Sequence, residues 1–140
     1  MTKSRWALFL DRDGVINLDH GYVHDISNFH FIDGVFASCR GAHELGFVVL
    51  VVTNQAGIAK GYYTEDDYFR LTEWMLARFS AEGVEMKRVY HCPFHPDGTV
   101  ENYRRVSDWR KPGPGMLLAA QTDFDLDMTA SVLVGDKESD

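Results

Sequence analysis

The chain has 140 residues, 45% apolar and 25% charged, with 14 Lys and Arg against 21 Asp and Glu and a net charge of −7. This is the composition of a soluble globular protein with one domain, 1–140, long enough for a sizeable core. The acidic balance argues against nucleic acid or anionic membrane as main partner, since both need a basic face, and no apolar run approaches the ~18 residues of a membrane span. Cys39 and Cys92 make no disulfide framework and no signal-peptide core follows the N-terminus, so a cytoplasmic location is expected.

The first element is Trp6-Ala-Leu-Phe-Leu10, an apolar run that suits a strand buried on both faces of a parallel sheet. Asp11-Arg12-Asp13-Gly14 follows. In extended chain, side chains i and i+2 point the same way, so Asp11 and Asp13 can converge, while Gly14 lets the backbone turn away. Ligands of open α/β sheets bind outside the carboxyl ends of the strands, where this pair falls. A long polar and aromatic loop, Val15 to Ile32, comes next, and its Asp19-His20-Gly21-Tyr22 stretch is the candidate for substrate contact.

Gly34 to Leu45 carries an apolar stripe (Val35, Phe36, Cys39, Ala42, Leu45) at helical spacing, and Gly46 reads as its stop. Phe47 to Val52 is the clearest buried strand, and it ends in Thr53-Asn54-Gln55-Ala56-Gly57. A hydroxyl and amides there can donate to phosphoryl oxygens. Thr64-Glu65-Asp66-Asp67 opens a helix to about Ala81 in the manner of a capping box, with Tyr68, Leu71, Trp74, Met75 and Phe79 as its buried stripe. Lys87 to His91 is a short third strand. Cys92 to Lys111 is irregular and holds Arg104, Arg105, Arg110 and Lys111, a local basic cluster in an acidic protein. Arg110 and Lys111 precede a helix near Met116 to Thr122. Ser131 to Val134 is the fourth strand, and it ends in Gly135-Asp136-Lys137-Glu138-Ser139-Asp140, a second acidic turn.

Each signal alone also fits an ordinary polar turn or a solvated basic loop. Together, strands alternating with helices make an α/β doubly wound parallel sheet, and Asp11, Asp13, Thr53 and Asp136 then share its carboxyl edge, within reach of Lys111. These are the parts phosphoryl transfer requires: a carboxylate nucleophile, an acid/base, hard oxygen ligands for magnesium, and groups for the equatorial oxygens.

On four motifs (Asp11-Arg12-Asp13-Gly14, Thr53-Asn54, Lys111, and Gly135-Asp136 to Asp140) the chain resembles the haloacid-dehalogenase (HAD) superfamily of phosphohydrolases, over essentially its whole length and without a separate cap domain. Asp19-His20-Gly21-Tyr22-Val23-His24, Thr53 to Ile58 and Arg110-Lys111-Pro112 make it most similar to the heptose-bisphosphatase branch. The histidinol-phosphatase domain is related but lacks the Asp-His-Gly-Tyr stretch. The resemblance implies a Mg²⁺-dependent phosphatase that acts on a small sugar bisphosphate on the route to ADP-heptose and lipopolysaccharide. In it, Asp11 is the nucleophile and Asp13 the acid/base, and Thr53 and Lys111 hold the phosphoryl group. It further implies that Asp11, the Asp13 carbonyl and Asp136 hold the metal. Asp19, His20, Gly21, Tyr22, Asn54, Gln55, Ala56, Arg110 and Lys137 would read the substrate.

Two departures stand out. The family's zinc loop has the form Cys-x-His, then Cys-x-Cys; here those positions are Cys92, Phe94, Ser107 and Trp109, so zinc is not expected, and Phe94 and Trp109 are expected to pack the loop instead. The family also continues beyond the last motif, so a short C-terminal part is expected to leave the fourth strand as an exposed edge; with that part present, a monomer is expected. Histidinol-phosphate phosphatase, or an impaired relative acting as a binding partner, are the alternative readings.

Overall fold

The structure, a computed structural model, describes residues 5–135. The roles expected of Asp136 and Lys137, and the remainder of the acidic turn at 136–140, lie outside the described residues. Strands β1 (Trp6–Leu10), β2 (Phe47–Asn54), β3 (Met86–Cys92) and β4 (Val132–Val134) form one parallel sheet in the order β3-β2-β1-β4. Helices α1 (Val35–Glu44), α2 (Ala56–Ala59), α3 (Glu65–Ala81) and α4 (Gly115–Phe124) connect and cover it. The order reverses between β1 and β4, which puts a crevice at the carboxyl end of β1.

Strand alternation sorts the core into two layers. Leu10, Val49 and Val51 face α1 and α3 and pack with Val35, Cys39, Leu71, Met75 and Phe79. Ala7, Phe9, Leu50, Val52 and Tyr90 face the other way and pack with Met116 and Ala120 of α4. This two-sided burial is why β1 and β2 read as unbroken apolar runs. Each fully buried large apolar side chain contributes roughly 1.5–3 kcal/mol. The α3 capping box forms as expected: Thr64 Oγ1 accepts from the Asp67 N–H at 3.1 Å, and Asp67 accepts from the Thr64 N–H at 3.0 Å.

The structure corrects two sequence expectations and adds one element. Trp6 is 45% exposed, because it opens β1 at the rim of the sheet. Leu45 is 70% exposed, because it follows the last residue of α1, where the chain turns into Gly46 at φ 91°. The single turn of α2 was not expected, since four residues carry no periodic signal. Among the described residues β4 ends the sheet, with Val132 and Val134 exposed. No helix among them is long and apolar enough to cross a membrane.

Candidate active site

The end of β1 delivers Asp11 into a nearly closed environment. Its backbone N–H donates to the Val134 carbonyl at 3.1 Å, which ties it to β4. Its Oδ1 accepts from the Arg12 N–H at 2.8 Å, and its Oδ2 lies 3.2 Å from Lys111 Nζ. The two side chains are only 10% and 6% exposed, so this ion pair is little screened. Lys111 arrives from the loop ahead of α4, where the Lys111–Pro112 peptide is cis. The Asn54 side chain fixes it by pairing with its backbone in both directions.

Asp13, two residues on, is held by donors on three sides. Arg12 forks onto it at 3.0–3.2 Å, Asn17 Nδ2 donates at 3.0 Å, and Gln55 Nε2 donates at 3.3 Å. The Arg12 guanidinium is itself buried, bonded to the Val23 carbonyl at 2.6 Å and stacked over Phe29. Gln55 also donates to Thr53 Oγ1 at 2.9 Å and accepts from the Tyr63 hydroxyl. Burial pushes the Tyr63 pKa well above its usual value, so the hydroxyl stays a donor. Gly57 is required beneath this network, because a Cβ there would run into the Tyr63 ring.

Above these groups opens a cleft of about 360 Å³. It brings together most of the expected substrate residues: Asp19, Gly21 and Tyr22 on one side, Asn54, Gln55 and Ala56 on another, and Arg110 from the third connection. Asp13 reaches its wall, whereas Asp11, Thr53 and Lys111 are buried beside it. His20 is not on the wall; it is exposed and pairs with His30 at 2.9 Å between ring nitrogens. Arg104 and Arg105 also stay outside, with Arg105 over the ring of Phe94. A larger hollow of about 420 Å³, between the end of α3 and the start of β3, lies at the opposite end of the strands from this chemistry.

Arg12, Asn17, Lys60 and Tyr63 belong to the site but were not expected. A cation inside the Asp-x-Asp turn was a visible signal for Arg12. Lys60 and Tyr63 carried none, because only the fold around α2 brings them to the cleft. In the region of the zinc loop, Cys92 is buried, its thiol pKa raised by desolvation, and Phe94 and Trp109 pack against the α4-side core. Among the described residues no three His, Cys, Asp or Glu side chains gather into a metal site.

No family model matches the chain. It is 59% identical over 134 residues to a Burkholderia mallei protein named D-glycero-alpha-D-manno-heptose-1,7-bisphosphate 7-phosphatase, spanning 96% of this chain and 71% of that one. It is 53% identical over 140 residues to the Yersinia pestis protein named for the beta anomer of the same substrate, spanning all of this chain and 74% of that one. Among solved structures, a HAD-like phosphatase from Mesorhizobium loti matches with a TM-score of 0.92 and 36% identity over 99% of this chain and 66% of its own, so the chain spans slightly under two thirds of that protein. The D,D-heptose 1,7-bisphosphate phosphatase of B. bronchiseptica, solved with magnesium and phosphate, matches with a TM-score of 0.80 and 26% identity over 95% of this chain and 72% of its own. The chain belongs to the D-glycero-D-manno-heptose-1,7-bisphosphate 7-phosphatase family of HAD-like phosphatases.

Proposed function

We propose that this chain is a single catalytic domain that removes the 7-phosphate of D-glycero-D-manno-heptose 1,7-bisphosphate with Mg²⁺, through an aspartyl-phosphate. The observation that carries the reading is the buried Asp11–Lys111 pair at 3.2 Å, two residues from the Asp13 that lines the cleft. Its relatives' names supply the substrate. A carboxylate oxygen of Asp11 attacks the 7-phosphorus, and the bond from phosphorus to the sugar oxygen breaks as Asp13 gives that oxygen a proton. Asp13 then takes a proton from water, whose oxygen attacks phosphorus and breaks its bond to the Asp11 carboxylate, which releases phosphate and restores Asp11. The Lys111 ammonium and the Thr53 hydroxyl hold the transferring oxygens, while Asp19 to Tyr22, Asn54 to Ala56, Arg110 and Lys137 read the rest of the substrate.

The donor set fits magnesium: the Asp11 carboxylate, the Asp13 carbonyl and Asp136 offer hard oxygens. Bound there, the ion supplies positive charge against the repulsion between nucleophile and phosphate dianion. In this reading the activity serves the cytoplasmic route to ADP-heptose, a lipopolysaccharide precursor. The test is phosphate release with Mg²⁺ from heptose 1,7-bisphosphate and, in parallel, histidinol phosphate, with Asp11→Asn as control. Preference for the bisphosphate, abolished in the control, supports the reading. Preference for histidinol phosphate overturns the substrate, and no turnover by folded protein overturns the activity.

A further inference from the structure

Lys60 follows α2 and reaches the same cleft as Asp13 and Arg110. Its backbone is fixed on both sides: the N–H donates to the Ala56 carbonyl at 3.0 Å, and the carbonyl accepts from Thr99 Oγ1 at 3.1 Å. Its ammonium donates to the Tyr22 hydroxyl at 2.9 Å and sits 5.3 Å from the centre of that ring. Tyr22 is set in turn by a left-handed backbone at φ 51°, directly after Gly21 at φ 82°, and by an edge contact with Tyr62. Among the described residues no carboxylate lies within ion-pair distance of Lys60 or Arg110, and the buried Nη1 of Arg110 has no hydrogen-bond partner.

These features are unusual in a chain of net charge −7. A cation held by a neutral hydroxyl and a ring keeps its charge available to a ligand, whereas one paired with a carboxylate does not. The positive fields of Arg110 and Lys60 also overlap at His95, whose pKa is lowered first by desolvation and then by those two charges. Of the two carboxylates on the cleft wall, Asp13 is already matched by Arg12, and Asp19 accepts from the Gly21 N–H at 3.0 Å. Among the described residues the cleft therefore offers two cations without a carboxylate partner, beyond the groups that take the transferring phosphoryl, and a bisphosphate brings a second dianion.

We propose that Lys60, held in place by Tyr22, is a specificity residue that binds the phosphate which is not transferred, opposite Arg110. The inference rests on the function proposed above. The test compares heptose 1,7-bisphosphate with heptose 7-phosphate, which lacks the second phosphate, in wild type, Lys60→Met, Lys60→Arg and Tyr22→Phe. Lys60→Met is expected to raise KM for the bisphosphate by about 10-fold to 100-fold, the size of a lost charged hydrogen bond, with kcat little changed. Turnover of the 7-phosphate stays at the wild-type value, which also shows that the variant is folded. Lys60→Arg restores bisphosphate affinity, and Tyr22→Phe gives a smaller loss on the bisphosphate than Lys60→Met does. An equal effect on both substrates, or none on either, overturns the role of Lys60 and leaves the enzyme assignment standing. A wild type inactive on the bisphosphate overturns both.

Discussion

Asn54 and Lys111, 57 residues apart, pair as two strand residues would: the Lys111 N–H donates to Asn54 Oδ1 at 2.9 Å, and Asn54 Nδ2 donates to the Lys111 carbonyl at 3.2 Å. The end of β2 thereby sets where the Lys111 ammonium meets Asp11. Replacing Asn54 with Ala removes both of these hydrogen bonds to the Lys111 backbone, at a cost of about 1–3 kcal/mol. It also frees Lys111 to shift, and a displacement of ~1 Å near the reacting atoms lowers turnover about 10²-fold. Thermal melting and kcat on the bisphosphate check both effects. A variant with wild-type kcat would mean that the turn through Pro112 and Gly113 holds Lys111 unaided.

Arg12 holds Asp13 from inside the protein, and its other bond, to the Val23 carbonyl, ties the loop from Val15 to Ile32 to Asp13. Arg12→Met removes the cation but keeps much of the stem. Breaking a buried ion pair costs about 3–5 kcal/mol, and the lower end applies because the Asp13 side chain is 20% exposed. Arg12→Lys restores charge but not the planar fork, so it recovers only part of the loss. Urea denaturation of the three proteins measures this. Equal stability of the Lys and Met variants would show that geometry, not charge, is what Asp13 needs.

Much of this was legible in the chain itself. Two-sided burial made β1 and β2 continuous apolar runs, and the Thr64–Asp67 capping box marked the start of α3. The clustering of Asp11, Asp13, Thr53 and Lys111 followed from parallel strands sharing one edge. What stayed hidden was each side chain's bonding partner. Asn54 was expected to face substrate and does line the cleft, yet both ends of its amide are committed to Lys111. His20 lay in a promising stretch but turns outward to His30. Lys60 sat among apolar and glycine residues with no local pattern, because its position depends on a single helical turn and a tyrosine 38 residues earlier.

Metal removal should separate chemistry from folding. Phe94 and Trp109 pack against the α4-side core at positions where the sequence resemblance led zinc ligands to be looked for, and Glu65 pins the same region by accepting from His91 at 2.7 Å and from the Tyr103 hydroxyl at 2.8 Å. Treatment with EDTA is therefore expected to abolish phosphate release while leaving the melting midpoint unchanged, and Mg²⁺ alone should restore activity. A midpoint that falls on chelation and returns with Zn²⁺ would place a structural metal on Cys92, because such a site contributes folding energy outright.

Stability should erode on the alkaline side through buried groups that resist ionisation. Desolvation pushes Cys39 from 9.0 to about 11 and Tyr68 from 10.0 to about 12; for Tyr90, desolvation and then the hydrogen bond to Asp123 push the pKa from 10.0 to about 12. In each case the folded state keeps a proton that the unfolded state has lost. Between the two pKa values the native protein binds more protons, so the free energy of unfolding falls as pH rises. The contribution is complete below about 9 and is lost progressively as pH passes through 9 to 12. Urea midpoints at pH 8, 10 and 11 should therefore decline in that order. Cys39 lies in the core between α1 and the sheet, so Cys39→Ala lowers stability at pH 8 by leaving a small void but gives a shallower decline above pH 9. Parallel declines in the two proteins would assign the alkaline loss to the tyrosines and Cys92.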